Sequence, residues 1–231
     1  MVSGWGPGSK RKKLSAANWQ KPFSWNEKAR TSRTRTKVFC SSMADVFDEE
    51  VPDQWRRELF NLIVLTPHLD WQILTKRPHL AEAQLRRIGY WDMLPIVNVW
   101  IGATMENQKC FDQRWPYLKK IPATVRFCSY EPALGPLSLP KDVEGKLHWL
   151  IAGGETTLRR NGSRPSDPEW FRSVRDQCTE HQVAFFFKQW GNDLLMEDGS
   201  RRWHGKSSSL YKSQHSILEG RLHQSFPTIC N

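Results

Sequence analysis

The chain has 231 residues, 39% of them hydrophobic and 25% charged, and its 34 Lys and Arg against 24 Asp and Glu give a net charge of +10. That length, with 12 Trp and 11 Phe, supplies a sizeable core and excludes a disordered or collagen-like chain. No apolar run approaches the roughly 20 residues that span a bilayer, and no apolar stretch follows the basic N-terminus as in a secretory signal, so a cytoplasmic location with no membrane partner is expected.

The charge is not spread evenly. Residues 1–37 hold ten basic side chains (Lys10, Arg11, Lys12, Lys13, Lys21, Lys28, Arg30, Arg33, Arg35 and Lys37) and one acid, Glu27, whereas the rest of the chain sums to +1. The segment reads as a basic N-terminal arm or linker. With Trp5, Trp19 and Trp25 interleaved, it suits the phosphates and bases of a single-stranded nucleic acid. The competing reading is a solvated linker whose charge has no partner.

From residue 38 to 191 an alternation repeats: a short apolar run, a polar cluster, then a segment of helical periodicity. Strands are predicted at Val38–Cys40, Trp71–Leu74, Val97–Ile101, Val125–Cys128, His148–Ala152 and Val183–Phe187. Between them, Trp55, Leu59, Leu62 and Ile63 share one helical face, and Phe111, Trp115 and Leu118 another. Over 168–181, Asp167 can cap, Pro168 suits the first turn, and Trp170, Val174 and Cys178 recur every fourth residue. Trp115, Trp149 and Trp170 read as core residues.

Such βα repeats imply an α/β fold with a parallel sheet, either an open doubly wound sheet or a partial or complete TIM-like barrel. No G-x-G-x-x-G or Walker sequence follows any strand, which favours the barrel. The pattern fades after Gly191, and 192–231 reads as an irregular, loop-rich C-terminal tail. The five cysteines are scattered without CxxC spacing; Cys40 and Cys128 lie in strand-like runs as small hydrophobes, and no metal site is expected from them. The histidines are isolated, so a nucleophile, base and orienter set has little support.

Active sites of α/β proteins form beyond the carboxyl ends of the strands, and here those ends are rich in chemistry. They carry Ser41, Ser42 and Asp45; Thr75, Lys76 and Arg77; Thr104 and Glu106; Ser129 and Glu131; Gly153, Gly154 and Glu155; and Lys188, Gln189 and Trp190. Acids and cations mixed at one rim can bind a zwitterionic, amino-acid-like ligand, with its carboxylate on Lys or Arg and its ammonium on Glu. At Gly153-Gly154-Glu155, two residues without Cβ would let a ligand approach the backbone, and the next carboxylate could accept from an amine. Trp190 is a candidate to stack on a flat ligand. The competing reading is that these clusters simply build turns and caps.

The strings VFCSSMADVFDEEVP, WQILTKRP, WIGATMENQ, RFCSYEPALGPL, HWLIAGGET, DPEWFRSVRDQC and VAFFFKQWG, in this order between Trp5 and Gly191, together resemble the phage gene product 37/68 family. The resemblance implies a phage- or prophage-associated protein with a radical-SAM-like partial barrel. It implies S-adenosylmethionine and a 4Fe–4S cluster as cofactors, and a phage-encoded partner protein among the binding candidates. Gly153, Gly154 and Glu155 resemble the Gly-Gly-Glu element that holds the methionine amine; Ser41, Ser42, Thr75, Lys76 and Thr104 fall on the cofactor side of the same rim. Asp45, Arg77, Glu106, Glu131, Lys188, Gln189 and Trp190 are then the substrate-side candidates. The family's three-cysteine motif is expected upstream of Trp5, and no such cluster occurs in the chain. Three readings stay open: the core of a radical S-adenosylmethionine-like enzyme acting on an unknown substrate such as a nucleobase or nucleic acid, a non-catalytic nucleic-acid binder using the arm, and a shortened inactive remnant.

Overall fold

The computed structural model describes residues 8–40, 44–157, 162–196, 198–203 and 216–228. Six strands form one sheet whose order follows the chain: β1 (Thr36–Cys40), β2 (Leu69–Thr75), β3 (Val99–Thr104), β4 (Val125–Tyr130), β5 (Trp149–Gly153) and β6 (Ala184–Gln189). All six fall on the predicted runs, most of them one to three residues longer at an end. The pairs β1/β2, β4/β5 and β5/β6 are parallel, as βα repeats require. The chain divides into two compact units, residues 1–101 with 121–124, and residues 102–120 with 125–231.

In the first unit the arm is folded. Residues 16–31 form helix α1 (Ala16–Thr31), which packs near β1 and β2 and buries Pro22 and Ala29. The Asn26 Oδ1 accepts the His68 N–H at 2.8 Å, which ties the helix to the loop before β2. Several of the arm's cations meet acids of the same unit: Arg11 lies 2.8 Å from Asp48, Arg35 lies 2.7 Å from Asp70, and Lys13 pairs with Glu58. The picture of a solvated linker whose charge has no partner is therefore corrected at these three residues. The acids that answer them lie some 35 to 45 residues away in sequence, beyond the reach of any local pattern.

Helix α2 (Asp53–Leu65) buries Phe60, Leu62 and Ile63, and with them the side chain of Arg56. That guanidinium reaches the carbonyls of Val46 at 3.0 Å, Asp48 at 3.1 Å and Val51 at 3.4 Å, and pairs with Asp53. Helix α3 (Pro78–Arg87) begins with proline, whose missing N–H is spared at a first turn. Its buried Gln84 donates to the Phe47 carbonyl at 3.1 Å.

The second unit holds α4 (Gln108–Leu118), capped by Asn107, and α5 (Pro168–Glu180), capped by Asp167 as the sequence predicts. The face of α5 that enters the core is Phe171, Val174 and Cys178; Trp170 sits half-buried beside it, which corrects its placement as a core residue. Trp115 and Trp149 are buried. Gly102 on β3 is required by packing, because a Cβ there would lie 2.4 Å from the Phe127 ring of β4.

The C-terminal tail is not uniformly irregular. β7 (Asp193–Leu195) pairs with β8 (Arg201–Trp203), and β9 (Ile217–Leu218) with β10 (Arg221–Leu222), both antiparallel. Residues 223–225 then run antiparallel along β6, with Phe187 N–H donating to His223 O at 2.6 Å and Ser225 N–H to Phe185 O at 3.0 Å. Trp149 donates its indole N–H to Ser225 O at 2.9 Å, and Phe226 packs on Trp149 and Phe186. An edge strand presents a row of unsatisfied backbone groups, and this segment covers part of that row. Strands of two or three residues carry too little alternation to read, so composition alone reads the tail as loop.

Just before β5, the half-buried His148 accepts the Arg126 N–H on Nδ1 at 2.9 Å. Burial, then the nearby Arg126 charge, hold its imidazole below the ordinary 6.5. As pH falls through 6.5 the unfolded chain takes up this proton before the folded one does, so stability present above 6.5 is lost below it. Chemical denaturation at a series of pH values is expected to show that loss, and His148→Gln, which can still accept the N–H but does not titrate, is expected to flatten it.

Among the described residues no helix is long and apolar enough to cross a membrane.

Candidate functional site

In the first unit, Ser41 and Ser42 lie outside the described residues. Asp45 stands at the centre of the remaining cluster. Its carboxylate accepts the Phe47 N–H at 2.9 Å, the Thr75 hydroxyl at 2.7 Å, the Lys76 N–H at 3.0 Å and the Arg77 guanidinium at 3.0 Å. The Thr75 hydroxyl in turn accepts the Arg77 N–H at 2.8 Å. Asp45, Thr75, the Lys76 backbone and Arg77 are thus brought together, but as a clasp that fixes the 44–48 loop on the end of β2. The bonding capacity of the Asp45 carboxylate is consumed within the unit.

The second unit carries three acids at successive strand ends, each answered by a cation. Glu106, buried after β3, lies 2.6 Å from Arg114 of α4, and Arg114 also donates to the Thr104 carbonyl at 2.5 Å. Glu155, after β5, receives three bonds from Arg164: the backbone N–H at 2.7 Å, Nε at 3.1 Å and Nη2 at 2.5 Å. Arg164 holds the Glu155 carboxyl below the usual carboxylate range. Glu131, after β4, lies 2.8 Å from Lys188 of β6. The Glu131 and Glu155 pairs are both more open to solvent than the Glu106 pair: Lys188 is 53% exposed and Glu131 21%, and Arg164 61% and Glu155 25%, against 18% and 11% for Arg114 and Glu106; Glu131 differs from Glu155 in being held by one lysine instead of a three-bond arginine clasp.

Gly153 explains how the Glu131–Lys188 pair forms. β5 runs between β4 and β6, so Glu131 must cross its end to reach Lys188. A Cβ at Gly153 would stand 3.3 Å from Glu131 Oε1 and 3.5 Å from Gln189 Cγ, so the missing side chain leaves room for the carboxylate. Gly154 serves a different end. There a Cβ would fall 2.0 Å from the Trp190 carbonyl oxygen, so the space expected for an approaching ligand is filled by the chain's own 190–191 backbone.

Three other expected residues acquire definite places. Ser129 is buried at the end of β4, and Gln189 donates weakly to the Gly154 carbonyl at 3.4 Å. Trp190 is not a free stacking platform: its ring packs edge-on against Phe187 and Phe171, and its indole N–H donates to Ile217 O at 2.9 Å. Neither Arg114 nor Arg164 lies at a strand end, so local sequence does not mark them; the near balance of acids and bases after residue 37 is the only signal that the strand-end acids have cations to meet.

An opposite-charge pair half open to water can exchange partners. A zwitterion that sets its carboxylate on Lys188 and its ammonium on Glu131 replaces one ion pair by two and leaves no charge unanswered. An iron–sulfur cluster does not fit the described residues. No three of His, Cys, Asp or Glu among them are grouped to hold a metal ion, and burial pushes the Cys128 and Cys178 thiols well up, toward the protonated form that does not ligate.

The fold and site together define a βα-repeat α/β protein with a charge-paired rim at its strand ends. The chain belongs to the family described as Protein of unknown function (DUF5131), whose profile matches residues 2–227. No curated protein and no solved structure matches it.

Proposed function

We propose that this is a phage-associated, radical S-adenosylmethionine-like protein whose second unit binds an α-amino-acid-type zwitterion, S-adenosylmethionine foremost, at Glu131 and Lys188. The six strands in chain order suit a partial TIM-like barrel of that type, and the motif order from Trp5 to Gly191 supports the same reading. The observation that carries the ligand assignment is the half-exposed Glu131–Lys188 pair closing at 2.8 Å over the gap left by Gly153. Gly153, rather than Glu155, is then the part of the Gly-Gly-Glu element nearest the ligand, since Glu155 is committed to Arg164. Glu131 and Lys188 bind and orient the ligand.

Equilibrium dialysis of the full chain with labelled S-adenosylmethionine tests it. Saturable binding is expected, weakened roughly tenfold or more in both Glu131→Gln and Lys188→Met, in line with the 1.5 to 3 kcal/mol of a charge-assisted hydrogen bond. Arg114→Lys, which leaves the open pair untouched, is expected to bind nearly as the parent does. Absence of binding, or equal binding by all chains, contradicts the assignment.

A further inference from the structure

The arm's charge is only partly consumed within the fold, and what is left over is ordered on a helix. Arg11, Lys13 and Arg35 face acids of the same unit, and Arg30 holds Glu27, the helix's one acid, through Nε at 2.9 Å and Nη2 at 2.5 Å. Helix α1 spans 16 residues yet buries only Pro22 and Ala29, so most of its surface is unused by its own unit. On that surface Lys21, Trp25 and Lys28 stand at i, i+4 and i+7, one stripe with an indole between two ammonium groups. Both lysines are exposed, and Trp25, an amphipathic aromatic that usually finds cover, is 39% exposed. Lys10 and Lys12 before the helix and Arg33 after it are exposed as well.

The geometry points to this stripe as a docking surface for single-stranded nucleic acid, with Lys21 and Lys28 on phosphates and Trp25 stacked on a base. The partner's chemistry follows from complementarity: the stripe holds two cations and no acid, and the neighbouring Glu27 is neutralised by Arg30. A base suits the indole because every base offers a flat face. Seven residues of helix separate the two ammonium groups by about 10 Å along the axis, a span that backbone phosphates on either side of a splayed nucleotide can meet. A duplex, whose bases are stacked on each other, could use the lysines but not Trp25. Trp19, the other described tryptophan of the arm, is unsuited to this role, since Lys13 lies 4.9 Å over its ring. Trp5 lies outside the described residues. The inference does not rest on the Glu131–Lys188 site.

Fluorescence anisotropy of the full chain with a labelled oligothymidylate, repeated over a salt series, tests both parts of the surface. Lys21→Ala/Lys28→Ala is expected to lower the slope of log affinity against log salt by roughly 1.4, the release expected for two single-strand phosphates. Trp25→Ala is expected to weaken binding about 5- to 150-fold with the salt slope unchanged. Neither set touches Pro22, Asn26 or Ala29, so helical circular dichroism is expected to match the parent. Failure of the parent to bind oligothymidylate at low salt overturns the inference. So does equal binding of a duplex with no effect of Trp25→Ala, or a preference for phosphatidylserine vesicles over the oligonucleotide.

Discussion

Gly154→Ala is expected to cost about 3 kcal/mol or more of folding stability, at or beyond the upper end of ordinary overpacking. The added Cβ would lie 2.0 Å from the Trp190 carbonyl oxygen, 2.7 Å from its carbon and 2.9 Å from Gly191 Cα. All three are backbone atoms, so no rotamer change relieves the clash. The opposing strand cannot yield cheaply either: Gly154 N–H donates to Gln189 O at 3.0 Å, and Ser166 holds the Trp190 carbonyl at 2.8 Å. Gly191 is fixed for a matching reason, with φ +88° and only 2.8 Å between a built Cβ and Glu155 O. Gly135→Ala provides the control, since its Cβ would meet only Asn107 Cβ at an ordinary 3.6 Å, and a change within about 0.5 kcal/mol is expected there. Urea denaturation of the two variants measures both. A Gly154→Ala chain as stable as the Gly135→Ala chain would mean that β5 and the 190–191 segment do not cross as closely as described.

Arg56→Ala is expected to lose about 3 kcal/mol, for a reason unrelated to charge at a surface. The Arg56 side chain is fully buried and supplies donors to the carbonyls of Val46, Asp48 and Val51, which shape the turn leading into α2. Alanine leaves those acceptors unmet and opens a cavity the length of an arginine stem. Arg56→Lys is expected to fall between parent and alanine, because an ammonium lacks the planar fork that reaches several carbonyls at once. Asp53→Asn is expected to cost less, since Asp53 is 38% exposed and Arg87 also engages it at 2.9 Å. Thermal melts of the three variants order them. If Arg56→Ala melts with the parent, the 46–51 turn does not depend on that side chain.

The parts of this molecule that were legible in the sequence are those governed by local periodicity. Six apolar runs became six strands, Asp167 caps α5, and Phe111, Trp115 and Leu118 form the buried face of α4. The chemistry at the strand ends was legible as residue types and not as partners. Glu131 and Lys188 are 57 residues apart, and Asp45 and Arg77 are 32 apart, so which acid meets which cation is decided by sheet order and not by spacing. Trp190 looked available because it follows two polar residues; in the fold, Phe171, Phe187 and the Ile217 carbonyl claim it from elsewhere in the chain. The arm misled in a different way. Pro22 interrupts its middle and its apolar residues do not recur on one face, so α1 could not be read, nor could the acids Asp48, Glu58 and Asp70 that folding brings to Arg11, Lys13 and Arg35 on either side of it.

If Glu131 and Lys188 read both ends of a zwitterion, isothermal titration of the full chain with three related ligands separates the two contacts. Methionine carries both charges, its methyl ester only the ammonium, and 3-(methylthio)propionate only the carboxylate. Binding of methionine, with the ester and the propionate each weaker by roughly tenfold or more, is the predicted result. Equal binding of all three, or no binding of methionine, would contradict it.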